Sequence, residues 1–137
     1  MLNDIPLAHL AIAVNSVDES GRLYQALGFA LHEAEIVARE HVRARVVEKD
    51  GLRIELLEAH PPTAGPIAKF IARRGPGLHH IALSSRDFDA ELSRLQALGV
   101  QPLAGYPAAG LGGSRVAFLD PKTTGGVLFE LVERKDA

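Results

Sequence analysis

The feature that most constrains this chain is that it repeats itself. "HLAIAV" begins at His9 and "HIALSS" at His80, while "YQALGF" and "LQALGV" set Gln25 against Gln96 and Gly28 against Gly99, all at an offset of 71. The interval from His to Gly is 19 residues in both copies. "RIELLE" at 53–58 and "LFELVE" at 128–133 match at an offset of 75, through Glu55 and Glu130, so the second copy carries four extra residues in its interior. Loops absorb a difference of that size without disturbing a duplicated module.

Each copy reads in the same order. Residues 7–14 alternate, with His9, Ala11 and Ala13 on one face and Leu10, Ile12 and Val14 on the other, the period-2 mark of a strand. Residues 78–84 repeat the layout, with His80, Ala82 and Ser84 sharing a face opposite His79, Ile81 and Leu83. A helix of about ten residues follows, capped by Ser16 or Asp18 in the first copy and Asp87 in the second, and stopped at Gly28 and Gly99. Three β-rich segments complete each copy, roughly 29–38, 41–48 and 52–59, then 100–104, 114–119 and 126–133. Asp50-Gly51 signals a hairpin between the last two of the first copy. The order is β-α-β-β-β twice, an α+β chain, with a short helix predicted over 66–74 in the linker.

At 137 residues the chain is one domain, with module 1 about 6–60, a linker helix region about 61–76 and module 2 about 77–134. Neither half alone has the size to bury a sufficient core. The absence of cysteine excludes disulfides, thiolate metal sites and a cysteine nucleophile together. A net charge of −2, with 15 Lys and Arg scattered along the chain, predicts no nucleic-acid partner. No apolar run approaches the ~20 residues that cross a bilayer. "MLNDIPLAHL" lacks a basic region leading into a continuous apolar stretch, so no secretory signal is expected and the address is cytoplasmic.

Placed on the strands, the repeat brings chemistry with it. His9 and Glu55 stand in the first and last strands of module 1, and His80 and Glu130 in those of module 2. A carboxylate inside a strand as apolar as "GGVLFELVE" needs a partner, because burying an unpaired charge costs several kcal/mol. If the halves are related by a pseudo-twofold, two imidazoles and two carboxylates converge, a donor set suited to Zn, Mn, Co, Ni or Fe, with two octahedral positions left for a chelating substrate. His79 competes with His80 for the role; the offset and the small-residue face both select His80.

"HLAIAV", "PIAKFIARRGPGLHHIAL", "GLGGSRVAFLDPK" and "GGVLFELVE" together carry a resemblance to the vicinal oxygen chelate superfamily, and within it to the methylmalonyl-CoA epimerases, over about residues 6–134. The resemblance implies a curved mixed sheet with helices on its convex side and a metal in the concave cleft. It implies His9, Glu55, His80 and Glu130 as ligands of a divalent ion (Co, Mn, Ni, Zn or Mg), an acyl-CoA thioester as substrate, and a homodimer. The activity implied is interconversion of (R)- and (S)-methylmalonyl-CoA, by removal and return of the C2 proton through a metal-stabilised enolate.

Glu130 is the first choice for the catalytic base and Glu48 the second proton-transfer group. Some of these epimerases carry a Glu in the third strand opposite the ligand carboxylate. Anchoring on Glu40-His41 puts Arg45 there instead, with Glu48 on the other strand face and needing a bulge to reach it. Asp120 in "LDPK" departs from the "HPK" usual in the family. Lys69, Arg73, Arg74, Arg115 and Lys122 are candidates for the CoA phosphates. The loop "AGYPAAGLGGSR" reads either as a flap over the substrate or as a long hairpin turn. Two rival functions share the fold: a glyoxalase I-like lactoylglutathione lyase and a metal-free small-molecule (antibiotic) binding protein.

Overall fold

The computed structural model describes residues 5–135; the segment through Asp4, part of the stretch read above as lacking a leader, lies outside them. The described residues divide into two compact units, His9–His79 and the combination of residues 5–8 with 80–135.

In the first unit, β1 (Leu7–Ala13, here from His9 onward) runs parallel to β5 (Leu52–Ala59), which is antiparallel to β4 (Val42–Lys49). Two short strands, β2 (Ala30–Leu31) and β3 (Glu35–Val37), both pair antiparallel with β4. The predicted 29–38 segment is therefore broken in two. The β4–β5 turn is made at Asp50-Gly51, where both residues take positive φ, 52° and 83°.

Helix α1 (Val17–Ala26) begins where Ser16 Oγ accepts the Glu19 N–H at 3.1 Å, while Glu58 Oε1, from β5, accepts the Val17 N–H at 2.9 Å. It ends at Gly28, whose φ of 96° suits a residue without Cβ. Its Val17 and Tyr24 join a cluster with Val14, Val47, Ile54 and Leu56, together with Phe29 and Leu31. The opposite face of the same strands buries Ala11, Ala13, Val42, Ala44, Leu57 and Ala59 against Ile67 of α2 (Gly65–Arg74). Strands clothed on both faces read as near-continuous apolar runs, which is why "LLEA" and "RVV" lack clean alternation.

The second unit repeats the plan. Strand β6 (Gly77–Ser85, here from His80) is parallel to β9 (Phe129–Glu133), which is antiparallel to β8 (Arg115–Leu119), itself antiparallel to β7 (Ala108–Ala109). Helix α3 (Phe88–Ala97), capped by Asp87 accepting the Ala90 N–H at 3.4 Å, packs Phe88 and Leu92 on Ala117, Leu119 and Leu131. The predicted 100–104 strand is reduced to a single bridge between Pro102 and Leu119, since proline offers no N–H to a ladder. The last strand starts at Phe129 and not at 126, because Gly125 and Gly126 hold left-handed φ values of 76° and 97°. The glycine-rich loop is a hairpin: β7 pairs β8, and the Gly110 N–H donates to Ser114 O at 2.7 Å across a 3₁₀ turn. Gly110 is required there, because a Cβ would lie 2.6 Å from Val116 Cγ1. Among the described residues no helix is long and apolar enough to cross a membrane.

Arg115 clamps this unit. Its Nη1 and Nη2 donate to Asp89 of α3 at 2.9 and 3.0 Å, and Nη2 also to Glu133 of β9 at 3.0 Å, above the Phe88 ring. The hydrogen bonds from Arg115 hold both carboxyls below the ordinary carboxylate range. A depressed folded pKa gives stability that is present above the unfolded value of about 4 and lost as pH falls through the folded one. Arg115→Gln is expected to lower the melting temperature at pH 7 and to flatten the acid limb below about pH 4. Melts at low and high salt check it, since salt screens exposed pairs.

Candidate functional site

Two His–carboxylate pairs stand at equivalent ladder positions, one in each unit, with His9, His80 and Glu130 buried and Glu55 partly buried. In the first, parallel pairing sets Ala11 beside Glu55. His9, two residues earlier on the same face, brings Nδ1 to 3.3 Å from Glu55 Oε2. In the second, Ala82 lies beside Glu130, and His80 brings Nε2 to 3.2 Å from Glu130 Oε1. The register is the same although the offsets differ, 71 for the His and 75 for the Glu, so the added residues are absorbed before the last strand. Ala11 and Ala82 are wholly buried, and their small side chains leave room between each imidazole and its carboxylate. His9, His80 and Glu130 are between 5% and 8% exposed, burial that strongly disfavours a charged group without a partner.

The donor spacing fits a cation. With metal–ligand bonds of about 2.1 Å, two neighbouring ligands stand roughly 3.0 Å apart in an octahedral ion and roughly 3.4 Å apart in a tetrahedral one. Both pairs fall between those limits. Imidazole nitrogen with carboxylate oxygen is the donor chemistry of first-row divalent ions, and thiolates are absent from the chain.

Alternation along β6 turns the adjacent histidines to opposite faces. His79 turns the other way, edge-on to Phe70 of α2 at a centroid distance of 5.0 Å.

Arg45 does not occupy the place expected of it. It lies on the α1 face of β4, opposite Leu56, with Nη2 3.4 Å from Asp18 Oδ1 and its Cδ passing Gly21, where a Cβ would sit 3.3 Å away. The residue directly across from Glu55 is Val46. Anchoring on Glu40-His41 falls one residue short of that position, and the β4–β5 ladder runs unbroken from Val42 to Lys49 without a bulge. Glu48 therefore shares the face of Val46 and Glu55. Its Oε1 receives His32 Nε2 at 2.9 Å and lies 3.5 Å from Arg53 Nη1. Along that face of β4, from Val42 through Ala44 and Val46 to Glu48, only Glu48 titrates.

Of the cations named for the CoA phosphates, Arg115 is engaged by Asp89 and Glu133. Arg74 lies 5.9 Å over the Phe70 ring, and Lys69, Arg73 and Arg74 are exposed on α2. Asp120 caps a 3₁₀ turn, its Oδ1 accepting the Lys122 N–H at 3.0 Å. A cavity of about 370 Å³ lined by Leu31, His32, Glu33, Ala34, Arg43 and Arg45 contains neither pair. Arg43, its hydrogen bonds first among the causes, holds the Asp18 carboxyl at its edge below the usual range.

Sequence reasoning passed over Phe118 and Tyr106. Phe118 is the cross-strand neighbour of Glu130; its ring meets His80 edge-on at 5.0 Å and Tyr106 at 5.3 Å. The signal was the second-copy counterpart of Val46, visible only once the β8–β9 register is known.

The family model described as Glyoxalase/Bleomycin resistance protein/Dioxygenase superfamily matches residues 8–118. The chain is 35% identical over 131 residues to the uncharacterized protein YqjC of Bacillus subtilis (strain 168), covering 94% of this chain and 92% of that protein. It is also 35% identical over 131 residues to the mitochondrial methylmalonyl-CoA epimerase of Dictyostelium discoideum, covering 93% of this chain and 78% of that one. A solved methylmalonyl-CoA epimerase in complex with methylmalonyl-CoA and NH4+ superimposes with a TM-score of 0.84 at 32% identity, covering 94% of each chain.

His80→Ala removes the imidazole beside the buried Glu130 carboxylate and is expected to lower stability by about 1–3 kcal/mol in chelator-treated buffer. Addition of Co²⁺ or Mn²⁺ is expected to raise the melting temperature of the parent protein and to leave that of His80→Ala unmoved.

Proposed function

We propose an epimerase, proceeding from a premise that the family match supplies: this chain belongs to the Glyoxalase/Bleomycin resistance protein/Dioxygenase superfamily. Its substrate is an acyl-CoA thioester with an acidic carbon between the thioester carbonyl and a carboxylate, and methylmalonyl-CoA is the member we assign. The single observation that carries the reading is the twofold occurrence of a His–Glu pair at one ladder position, in a chain so similar to epimerases over nearly its whole length.

His9, Glu55, His80 and Glu130 are the ligands of one divalent ion in this reading, two imidazoles and two carboxylates drawn from the two His–Glu pairs. When bound, the ion supplies Lewis-acid stabilisation of the negative charge that develops on the thioester oxygen, worth several kcal/mol. The rest falls to side chains. The imidazoles hold the carboxylates in place; the apolar surroundings of Glu130, with Phe118 on one flank and Ala82 on the other, exclude water from the reacting carbon.

Glu130 is the base in this assignment, withdrawing the C2 proton with a carboxylate oxygen directed at the substrate. Return of a proton to the opposite face requires a second acid. Glu48 takes that role as the one titratable side chain on the β4 face it shares with Glu55, where Val46 has no proton to give. His32, hydrogen-bonded to Glu48 and half exposed, connects that carboxyl with solvent. A homodimer, as the resemblance implies, and the cytoplasmic address expected from the sequence complete the proposal. A lactoylglutathione lyase shares the ligand chemistry but acts on a hemithioacetal, and a metal-free binding module has no use for two His–Glu pairs.

Metal-loaded protein incubated with methylmalonyl-CoA in heavy water is expected to place deuterium at C2, read by mass spectrometry; no incorporation beyond a chelated control removes the epimerase reading. Glu130→Gln is expected to lower the exchange rate by 10²-fold or more. Glu48→Gln is expected to slow inversion more than exchange, since one-sided proton withdrawal and return survives the loss of the second acid.

A further inference from the structure

We infer that Phe118 determines which substituent the reacting carbon carries, an inference that rests on the epimerase reading above. Glu130 has two strand neighbours on its own face, Ala82 of β6 and Phe118 of β8. Residues directly opposite each other across an antiparallel ladder hold their Cβ atoms about 4.5–5.5 Å apart. Whatever lies against the Glu130 carboxylate therefore lies against these two side chains. Ala82 is wholly buried and presents one methyl group. Phe118 is only partly buried, so part of its ring remains to meet a guest.

The ring is also fixed. His80 meets it at 5.0 Å with an interplanar angle of 89°, and Tyr106 at 5.3 Å and 74°, both in the edge arrangement favoured between aromatic quadrupoles. Rotation of Phe118 away from a bulkier guest disturbs both contacts. A wall held in this way discriminates by size, whereas a mobile side chain accommodates. The counterpart position in the first unit, opposite Glu55, is Val46, so the aromatic wall stands only in the half whose carboxylate we assign as base. The geometry thus predicts selection for a methyl substituent against larger alkyl groups at C2.

The test is competitive C2 deuterium exchange on methylmalonyl-CoA and ethylmalonyl-CoA by the metal-loaded parent protein, Phe118→Ala and Phe118→Leu. The parent is expected to favour the methyl thioester by about tenfold or more, the scale of discrimination for one methylene in an apolar pocket. Phe118→Ala is expected to bring the ratio close to unity, and Phe118→Leu to move it part of the way. Should Phe118→Ala fail to fold, as thermal melts will show, Phe118→Leu, which preserves more of the apolar volume, carries the test. An unchanged ratio in the folded variants, or a parent without preference, overturns the assignment of Phe118 and leaves the epimerase reading standing. A parent that exchanges neither thioester removes both.

Discussion

Everything about the candidate site depends on how a carboxylate is buried inside a sheet strand. A Glu side chain between apolar strands is tolerable only beside a group that answers its charge, and parallel pairing supplies one in a fixed place. The histidine two residues before the small ladder partner reaches the carboxylate diagonally, at 3.3 Å in one unit and 3.2 Å in the other. Alanine at the ladder position is part of the device, since a larger side chain would push the two groups apart. Because the arrangement needs only strand register and two side chains, duplication of the module duplicates it intact.

The two copies have diverged in what surrounds the pair. Opposite Glu55 stands Val46, with Glu48 beyond it drawn to His32 and Arg53 at the exposed end of the strand. Opposite Glu130 stands Phe118, locked between His80 and Tyr106. One half is thus polar at its margin and the other aromatic. Such asymmetry gives the two halves of a duplicated scaffold unlike surfaces beside the same pair.

Features that depend on short stretches of chain were legible in the residues. Ser16 and Asp87 cap their helices, Gly28 and Gly99 end them with left-handed backbone, and period-2 alternation separates His80 from His79. Features that depend on register between strands were not. Whether Arg45 or Val46 faces Glu55 turns on a ladder contact between residues distant in sequence, and a motif anchor at Glu40-His41 misplaces it by one residue, which in a strand is the difference between two faces. The strand expected at 100–104 failed because Pro102 cannot extend a ladder that its neighbours' β-propensity suggested. Phe118 was overlooked for the same reason as Val46: its importance lies in what stands beside it on another strand.

One backbone contact bears on how the chain is made. Pro6 O accepts the Ser84 N–H at 2.9 Å, and residues 5–8 belong to the same compact unit as residues 80–135. During synthesis Pro6 must wait for a partner encoded nearly eighty positions later. The unit His9–His79 has all its own strands by then, while its flanking peptide remains an unpaired edge until the second half is synthesised. Chaperones that shield nascent strands would find their substrate there, and a translational pause beyond residue 79 would lengthen the exposure.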